Sequence, residues 1–304
     1  MHVVVTGGTG FIGRALCRSL SRNGHRVTVL TRKGRAASPL LDPSVTAVEW
    51  SGRGRGAWEE SLEGADAVIN LAGAPLADAR WTEARKRLLI DSRVQLTRCL
   101  VDAISHRSSK PRVLISASGI GYYGPSDDRV LSEAAPRGEG FLADLCVAWE
   151  AEARRAENVG TRVVLLRTGM VLEDDGGALP KMLLPFRLYL GGPIMPGTQW
   201  VSWIHRNDHL GLIEWAMTTP SVSGPLNLVA PEPEQMQAFC EILGQVLHRP
   251  CWFPVPETVL SFALGELGTV MTTGQRVQPQ KVLAGGYVFR YPALEPALRA
   301  ILNK

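Results

Sequence analysis

Acidic residues are missing from the first 41 positions of this 304-residue chain; the first is Asp42. Cysteine is scarce. The five present (Cys17, Cys99, Cys146, Cys240, Cys251) include no C-x-x-C pair. An odd, unpaired set excludes a disulfide framework and a paired-cysteine zinc site. It fits buried thiols in a reducing compartment, so a cytoplasmic location and no metal are expected. No apolar run of 18 residues is free of charge or proline, which excludes a spanning helix, and no membrane partner is expected. A strand-like run begins at His2, so no secretory leader is expected. Repeats and low-complexity tracts are absent. With 45% apolar and 20% charged residues the chain is not disordered, and a net charge of +4 is too small to imply nucleic acid.

The charge is unevenly placed. Residues 1–41 carry Arg14, Arg18, Arg22, Arg26, Arg32, Lys33 and Arg35, a net +7, and the rest of the chain sums to −3. The basic excess is confined to one segment, which suits either an anion site or a solvated helix face.

Within that segment Val3-Val4-Val5 reads as a strand buried on both faces. Phe11 to Arg22 then has helical apolar spacing, and Arg26–Leu30 is a second strand. Further strands are predicted at 46–50, 65–71, 112–116 and 162–167, and helices at 81–106 and 138–160. Alternation of this kind over 170 residues predicts an α/β fold, a Rossmann doubly wound parallel sheet of about seven strands. After residue 172 glycine and proline become frequent. The expected division is a nucleotide-binding domain over 1–172 and a smaller substrate lobe over 173–304, with 225–229 returning to the sheet.

Between the first strand and the first helix lies Thr6-Gly7-Gly8-Thr9-Gly10-Phe11-Ile12-Gly13. A glycine pattern in that position is a dinucleotide fingerprint. Gly7 permits the tight turn, Gly10 lets a pyrophosphate approach the backbone, and Gly13 lets the helix pack on the strand. The helix N-terminus offers free N–H groups to the phosphates. NAD sites of this type place an acid at the end of the second strand to hold the ribose. Here the sequence is Leu30-Thr31-Arg32-Lys33. Two cations in the acid's place suit a 2′-phosphate, so NADP(H) is predicted, with Arg32 as discriminator.

Several motifs together resemble the extended or atypical short-chain dehydrogenases/reductases: Thr6–Gly13, Asn70-Leu-Ala-Gly73, Ser116-Ala-Ser-Gly-Ile-Gly-Tyr-Tyr-Gly124 and Trp203-Ile-His-Arg-Asn-Asp208. More narrowly, Arg80-Trp81, Asp91-Ser-Arg93, Cys146–Glu150, Arg167–Leu172 and Leu184-Pro-Phe-Arg187 are similar to the branch called epimerase family proteins, which is nucleoside-diphosphate-sugar epimerase-like. The resemblance spans nearly the whole chain. It implies that Leu71, Ala72 and Gly73 lie beside the cofactor, that Arg93 reaches its phosphates or ribose, and that Val171 lines the nicotinamide end.

The same resemblance exposes a gap. The superfamily's usual acid/base pair is Tyr-x-x-x-Lys, with a Ser to orient the substrate oxygen. No Tyr occurs between Tyr123 and Tyr189, and no Lys between Lys110 and Lys181. Aligned on Ser118, the expected places hold Ala143 and Val147. The remaining candidates are Ser118 ahead of Ser116, Tyr122 or Tyr123, and Glu150, with Asp144, Cys146 and His205 behind them. Trp200, Trp203 and Phe186 form either an aromatic wall over the nicotinamide or the lobe's core. The expected activity is an NADP(H)-dependent oxidoreductase acting on a small carbonyl or alcohol. The alternatives are a non-catalytic NADPH-binding sensor or scaffold, and a nucleotide-sugar epimerase.

Overall fold

The computed structural model describes residues 1–302, leaving aside the side chains of residues 35, 263 and 264. Seven strands form one wholly parallel sheet: β1 (His2–Thr6), β2 (Arg26–Thr31), β3 (Thr46–Glu49), β4 (Ala67–Asn70), β5 (Val113–Gly119), β6 (Arg162–Thr168) and β7 (Gly224–Leu228). Their order is β7-β6-β5-β4-β1-β2-β3. The order reverses at β1, where doubly wound folds open a ligand crevice beyond the strand C-termini.

Strand pleating decides what covers each face, because successive side chains point to opposite sides. Val3, Val5, Ile69, Ile115 and Val164 join one buried cluster with Leu16, Cys17 and Leu20 of α1 (Phe11–Arg22). Val4, Val68, Leu114, Val163 and Leu165 join another beneath helices on the opposite face. The continuous apolar runs follow from covering both faces.

The helix expected over 81–106 is two helices joined by a wider turn. Thr82 caps α2 (Glu83–Ile90) by accepting from the Arg85 amide, Asp91–Gln95 is a π turn, and α3 (Leu96–Ser105) continues. A π turn re-aims the side chains it carries. Here it turns Arg93 and Val94 inward, and both are buried. On the same face, α4 (Phe141–Arg154) packs against β5, β6 and α3.

The C-terminal part has its own core, with Trp203, with Leu183 and Phe186 of α5 (Leu179–Arg187), with Phe239 and Leu243 of α7 (Met236–Leu247), and with Leu298 of the last helix (Leu294–Leu302). Trp203 and Phe186 are therefore lobe core and no wall, while Trp200 is half-buried under the Arg276 guanidinium. Between α5 and α7, helix α6 (Arg206–Thr218) packs on α1 with Leu212 and Ile213 in the first cluster, and β7 follows. Residues 206–228 thus return to the nucleotide-binding layers. Two contacts tie the lobe to that return. The Asp208 carboxylate accepts from the Arg290 and Tyr291 amides, 2.8 Å each, and the His205 ring stacks on Tyr291 at 3.9 Å. Among the described residues no helix is long and apolar enough to cross a membrane.

His209 of α6 is fully buried, and burial pushes it down to about 4. The unfolded chain binds a proton near pH 6.5 that the native chain refuses until about pH 4. Stability is unaffected by this group above pH 6.5 and falls as pH drops through the window, by about 3 kcal/mol in full. Denaturant titrations at neutral pH and at the bottom of that window check this: His209→Gln should lose clearly less stability on acidification than the parent.

Candidate functional site

The fingerprint loop is packed where packing is needed and open where a ligand is expected. Gly7 has φ +72°, the left-handed region, and a Cβ there would lie 2.7 Å from the Leu71 carbonyl carbon. A Cβ on Gly13 would lie 2.2 Å from the Gly7 carbonyl oxygen, so α1 touches the turn backbone to backbone. Gly10 is different, since a Cβ there would meet only the Gly7 oxygen, at 3.3 Å. No side chain caps α1 at Gly10, and its first turn holds no acid. The open amides and the positive end of the helix dipole are left for an anion. Above them the Gly176–Gly177 loop lies against the Phe11 ring. Arg206 also faces that ring, at 5.4 Å, and pairs with Glu173 at 3.0 Å and with Asp175.

Arg32 and Lys33 stand exposed at the end of β2, and neither has an ion-pair partner among the described residues. Thr31 is half-buried beside them. Leu71, Ala72 and Gly73 leave β4 directly across from Gly7, with the Ala72 amide 3.3 Å from Thr6 Oγ1. Arg93 reaches the same place from the π turn. Its guanidinium bonds the Ala74 and Leu89 carbonyls at 2.9 and 3.3 Å and faces the Trp149 ring at 5.3 Å. A Cβ on Gly73 would meet it at 3.0 Å. No carboxylate among the described residues pairs with Arg93, and burial lowers it to about 10. A buried cation without a counter-ion is costly unless an anion joins it. The open amides at Gly10, the unpaired cations after β2 and this arginine fit a phosphorylated dinucleotide. Val171, by contrast, is buried in the core against Ile204, under the Gly177 turn.

The second half of the site was only partly visible from sequence. Toward α3 and α4, the strand C-termini switch from apolar to polar. Thr6 Oγ1 donates to Asn70 Oδ1 at 2.7 Å, and Asn70 Nδ2 donates to Thr97 and Ser116 hydroxyls at 2.8 and 3.3 Å. Next in the row, Ser118 Oγ donates to Glu150 Oε1 at 2.8 Å. Glu150 is buried on α4 and receives Arg167 in a bidentate pair, Nε to Oε1 and Nη2 to Oε2, both 2.9 Å. Burial opposes the Arg167 charge, but the Glu150 carboxylate outweighs it and raises Arg167 above its ordinary value. The guanidinium also donates to the Tyr123 hydroxyl at 3.1 Å and lies under the Tyr122 ring, 3.4 Å from its centroid. Tyr123 passes its own proton to Asn227 Oδ1 at 2.7 Å.

Ser118, Tyr122 and Glu150 therefore meet around one residue that sequence reasoning missed, Arg167. Its signal was a charge closing an otherwise apolar strand, in register with Ser118. Of the other candidates, Cys146 borders the cluster, its thiol donating to the Gly119 carbonyl at 3.7 Å, and Asp144 and His205 fall elsewhere. Asp144 is exposed and paired with Arg137, and Cys146 is a buried thiol that burial pushes up to about 11. His205 is buried, caps α6 by accepting from the Asn207 amide at 3.0 Å, and stacks on Tyr291. A surface groove of about 670 Å³ runs along the outer side of α3, lined by Arg53, Gln95, Arg98 and His106, and holds none of these residues.

A sequence model described as the NAD dependent epimerase/dehydratase family matches residues 3–228, and one described as a domain of unknown function, DUF1731, matches 255–301. The chain is 42% identical over 309 residues to "Epimerase family protein SDR39U1 homolog, chloroplastic" of Arabidopsis thaliana, covering 100% of this chain and 87% of that one. It is 40% identical over 303 residues to "Epimerase family protein YfhF" of Bacillus subtilis, covering 99% and 98%. Among solved structures, human epimerase family protein SDR39U1 (isoform2) with NADPH is similar at TM-score 0.87 and 36% identity, covering 100% and 99%. UDP-glucuronic acid 4-epimerase of Bacillus cereus, with UDP-glucuronic acid and NAD, aligns at TM-score 0.79 and 18% identity over 100% and 98%, which shows a shared fold alone.

Removing one partner of a buried bidentate pair strands the other charge, at about 3–5 kcal/mol. Arg167→Met should lower urea stability by that order. The double variant Glu150→Gln/Arg167→Met should recover part of the loss, because it leaves no buried charge.

Proposed function

The chain belongs to the NAD dependent epimerase/dehydratase family, and from that premise we propose that it is an NADP(H)-dependent oxidoreductase interconverting a small carbonyl and its alcohol. When bound, the nicotinamide supplies the hydride chemistry. The observation that carries the reading is the Ser118–Glu150–Arg167–Tyr122 cluster at the strand C-termini, beyond an open anion site.

The proton inventory assigns the roles. A carboxylate only accepts, so the Ser118 proton is committed to Glu150 and its oxygen turns lone pairs to the site. Tyr123 has spent its proton on Asn227. The Tyr122 hydroxyl has no hydrogen-bond partner among the described residues, and its ring is fixed on Arg167. Tyr122 is therefore the group that donates to a substrate oxygen in reduction, and Ser118 positions a donor on the alcohol side. Arg167 and Glu150 hold both in place, where a lysine would do so in the usual arrangement. On the cofactor side, Arg32 and Lys33 take the 2′-phosphate, Gly7 to Gly13 the pyrophosphate and Arg93 a further phosphate or ribose oxygen, with Leu71, Ala72 and Gly73 around them. The human structure with NADPH supports this choice of dinucleotide.

A second reading is favoured by the helix itself. Where the usual pair would stand, α4 carries Ala143, fully buried, and Val147. A chain without that pair suits a protein that binds NADPH and turns nothing over.

Two measurements decide. In fluorescence titrations Arg32→Glu should weaken NADPH binding on the order of 10- to 100-fold and leave NADH little changed. Equal affinity of the parent for both dinucleotides would overturn the 2′-phosphate assignment. Across a panel of carbonyl substrates, Tyr122→Phe should lower kcat on the order of 10²–10⁴-fold with NADPH affinity kept. Tight NADPH binding with no turnover in the parent would favour the second reading.

A further inference from the structure

The C-terminal lobe carries an apolar surface that neither the cofactor site nor the catalytic cluster uses. Leu184 and Leu188 are 60% and 61% exposed, Tyr189 and Leu190 53% and 52%, and Trp252 and Phe253 64% and 52%. They form one ridge, because the two segments that carry them are bonded together. The Trp252 and Phe253 amides both donate to the Gly191 carbonyl at 3.0 Å, and Met195 donates to Val255 at 3.0 Å. The Trp252 indole donates to the Tyr189 carbonyl at 2.9 Å, so its one polar atom is already satisfied and the rest of the ring faces outward. Exposed clusters of this size mark contact surfaces.

Charge selects the occupant. Residues 176–207 and 242–256, which build the ridge, contain no Asp or Glu. Their cations are Lys181, Arg187, Arg206 and Arg249; Arg206 is paired with Glu173 and Asp175, and the other three have no carboxylate partner among the described residues. Lys181 and Arg187 are exposed, and Arg249 lies across the Tyr189 ring at 4.5 Å. The nearby Glu241 of α7 bonds Gln237 at 2.6 Å and keeps its charge, so three cations face one acid. Aliphatic and aromatic side chains rimmed by unpaired cations, with tryptophan and tyrosine among them, match the interface of an anionic bilayer, where rings sit at headgroup depth and cations meet phosphates. A second copy of this chain fits less well, because a two-fold contact on this face would bring both sets of cations together.

We propose that this ridge docks the protein peripherally on anionic membranes, with Leu188, Tyr189, Trp252 and Phe253 entering the headgroup region and Lys181, Arg187 and Arg249 on lipid phosphates. The expectation of no membrane partner rested on the lack of a spanning helix, and a surface contact needs none.

The test is co-sedimentation of the full chain with vesicles of phosphatidylcholine and phosphatidylglycerol in about equal amounts, against phosphatidylcholine alone. Binding should favour the anionic vesicles and weaken with salt. Lys181→Gln/Arg187→Gln/Arg249→Gln should weaken it by roughly two orders of magnitude, about fivefold per cation. Leu188→Ser/Trp252→Ser/Phe253→Ser should abolish it. Both variants should keep the parent's NADPH affinity and melting temperature, which shows that they fold. Failure of the parent to sediment with anionic vesicles overturns the proposal, as does undiminished sedimentation of the ridge variant. So does a lipid-free dimer, seen in sedimentation velocity, that the ridge variant dissolves.

Discussion

One buried guanidinium organises the polar end of the sheet. Arg167 closes β6 with its charge in the interior, and burial alone would make that prohibitive. Glu150 balances it across two parallel hydrogen bonds, and the two tyrosines take up the remaining face and donor. Once that pair is set, the rest is constrained. Ser118 must donate to Glu150, Tyr123 must turn its proton to Asn227, and Tyr122 is the hydroxyl of this cluster without a partner among the described residues. Three elements distant in sequence, β5, α4 and β6, are thereby registered on one group. The usual lysine would have reached its tyrosine along a single helix.

Much of this was legible in the chain and some was not. The fingerprint was readable because Gly7, Gly10 and Gly13 each answer a local demand for a turn, an approach or a close packing. The seven strands were readable because runs such as Val3-Val4-Val5 are apolar on both faces. The residue that the proposed function puts in the lysine's place was not readable. Arg167 sits at a strand end, where a cation ordinarily meets water, and only tertiary packing brings α4 over it. The role of Glu150 changed for the same reason. An isolated carboxylate in an apolar pocket is a candidate acid, but one clasped by an arginine is a scaffold for its neighbours.

The boundary between the two parts of the chain was also harder to see than their existence. The boundary expected at residue 172 rests on a shift to glycine and proline. It does not show that α6 and β7 cross back, because their apolar spacing serves either unit. The lobe is thus inserted around a return to the sheet, and His205, Asp208 and Tyr291 are where it is pinned.

The π turn at Asp91–Gln95 has one more implication. Each residue advances a regular helix by about 100°. An α2–α3 rod without the wider turn would keep its two halves in phase, and Arg93 would swing away from Gly73 and the Ala74 carbonyl. The extra width works as a phase shift between two helices that must satisfy different neighbours. Below it, α2 follows the lobe through Lys86 and Glu266, 2.5 Å apart. Above it, α3 follows the sheet through Leu100 and Ile104. A single inserted or deleted residue within 83–105 would dephase lobe and sheet together, so this helix pair sets a length that the chain must keep.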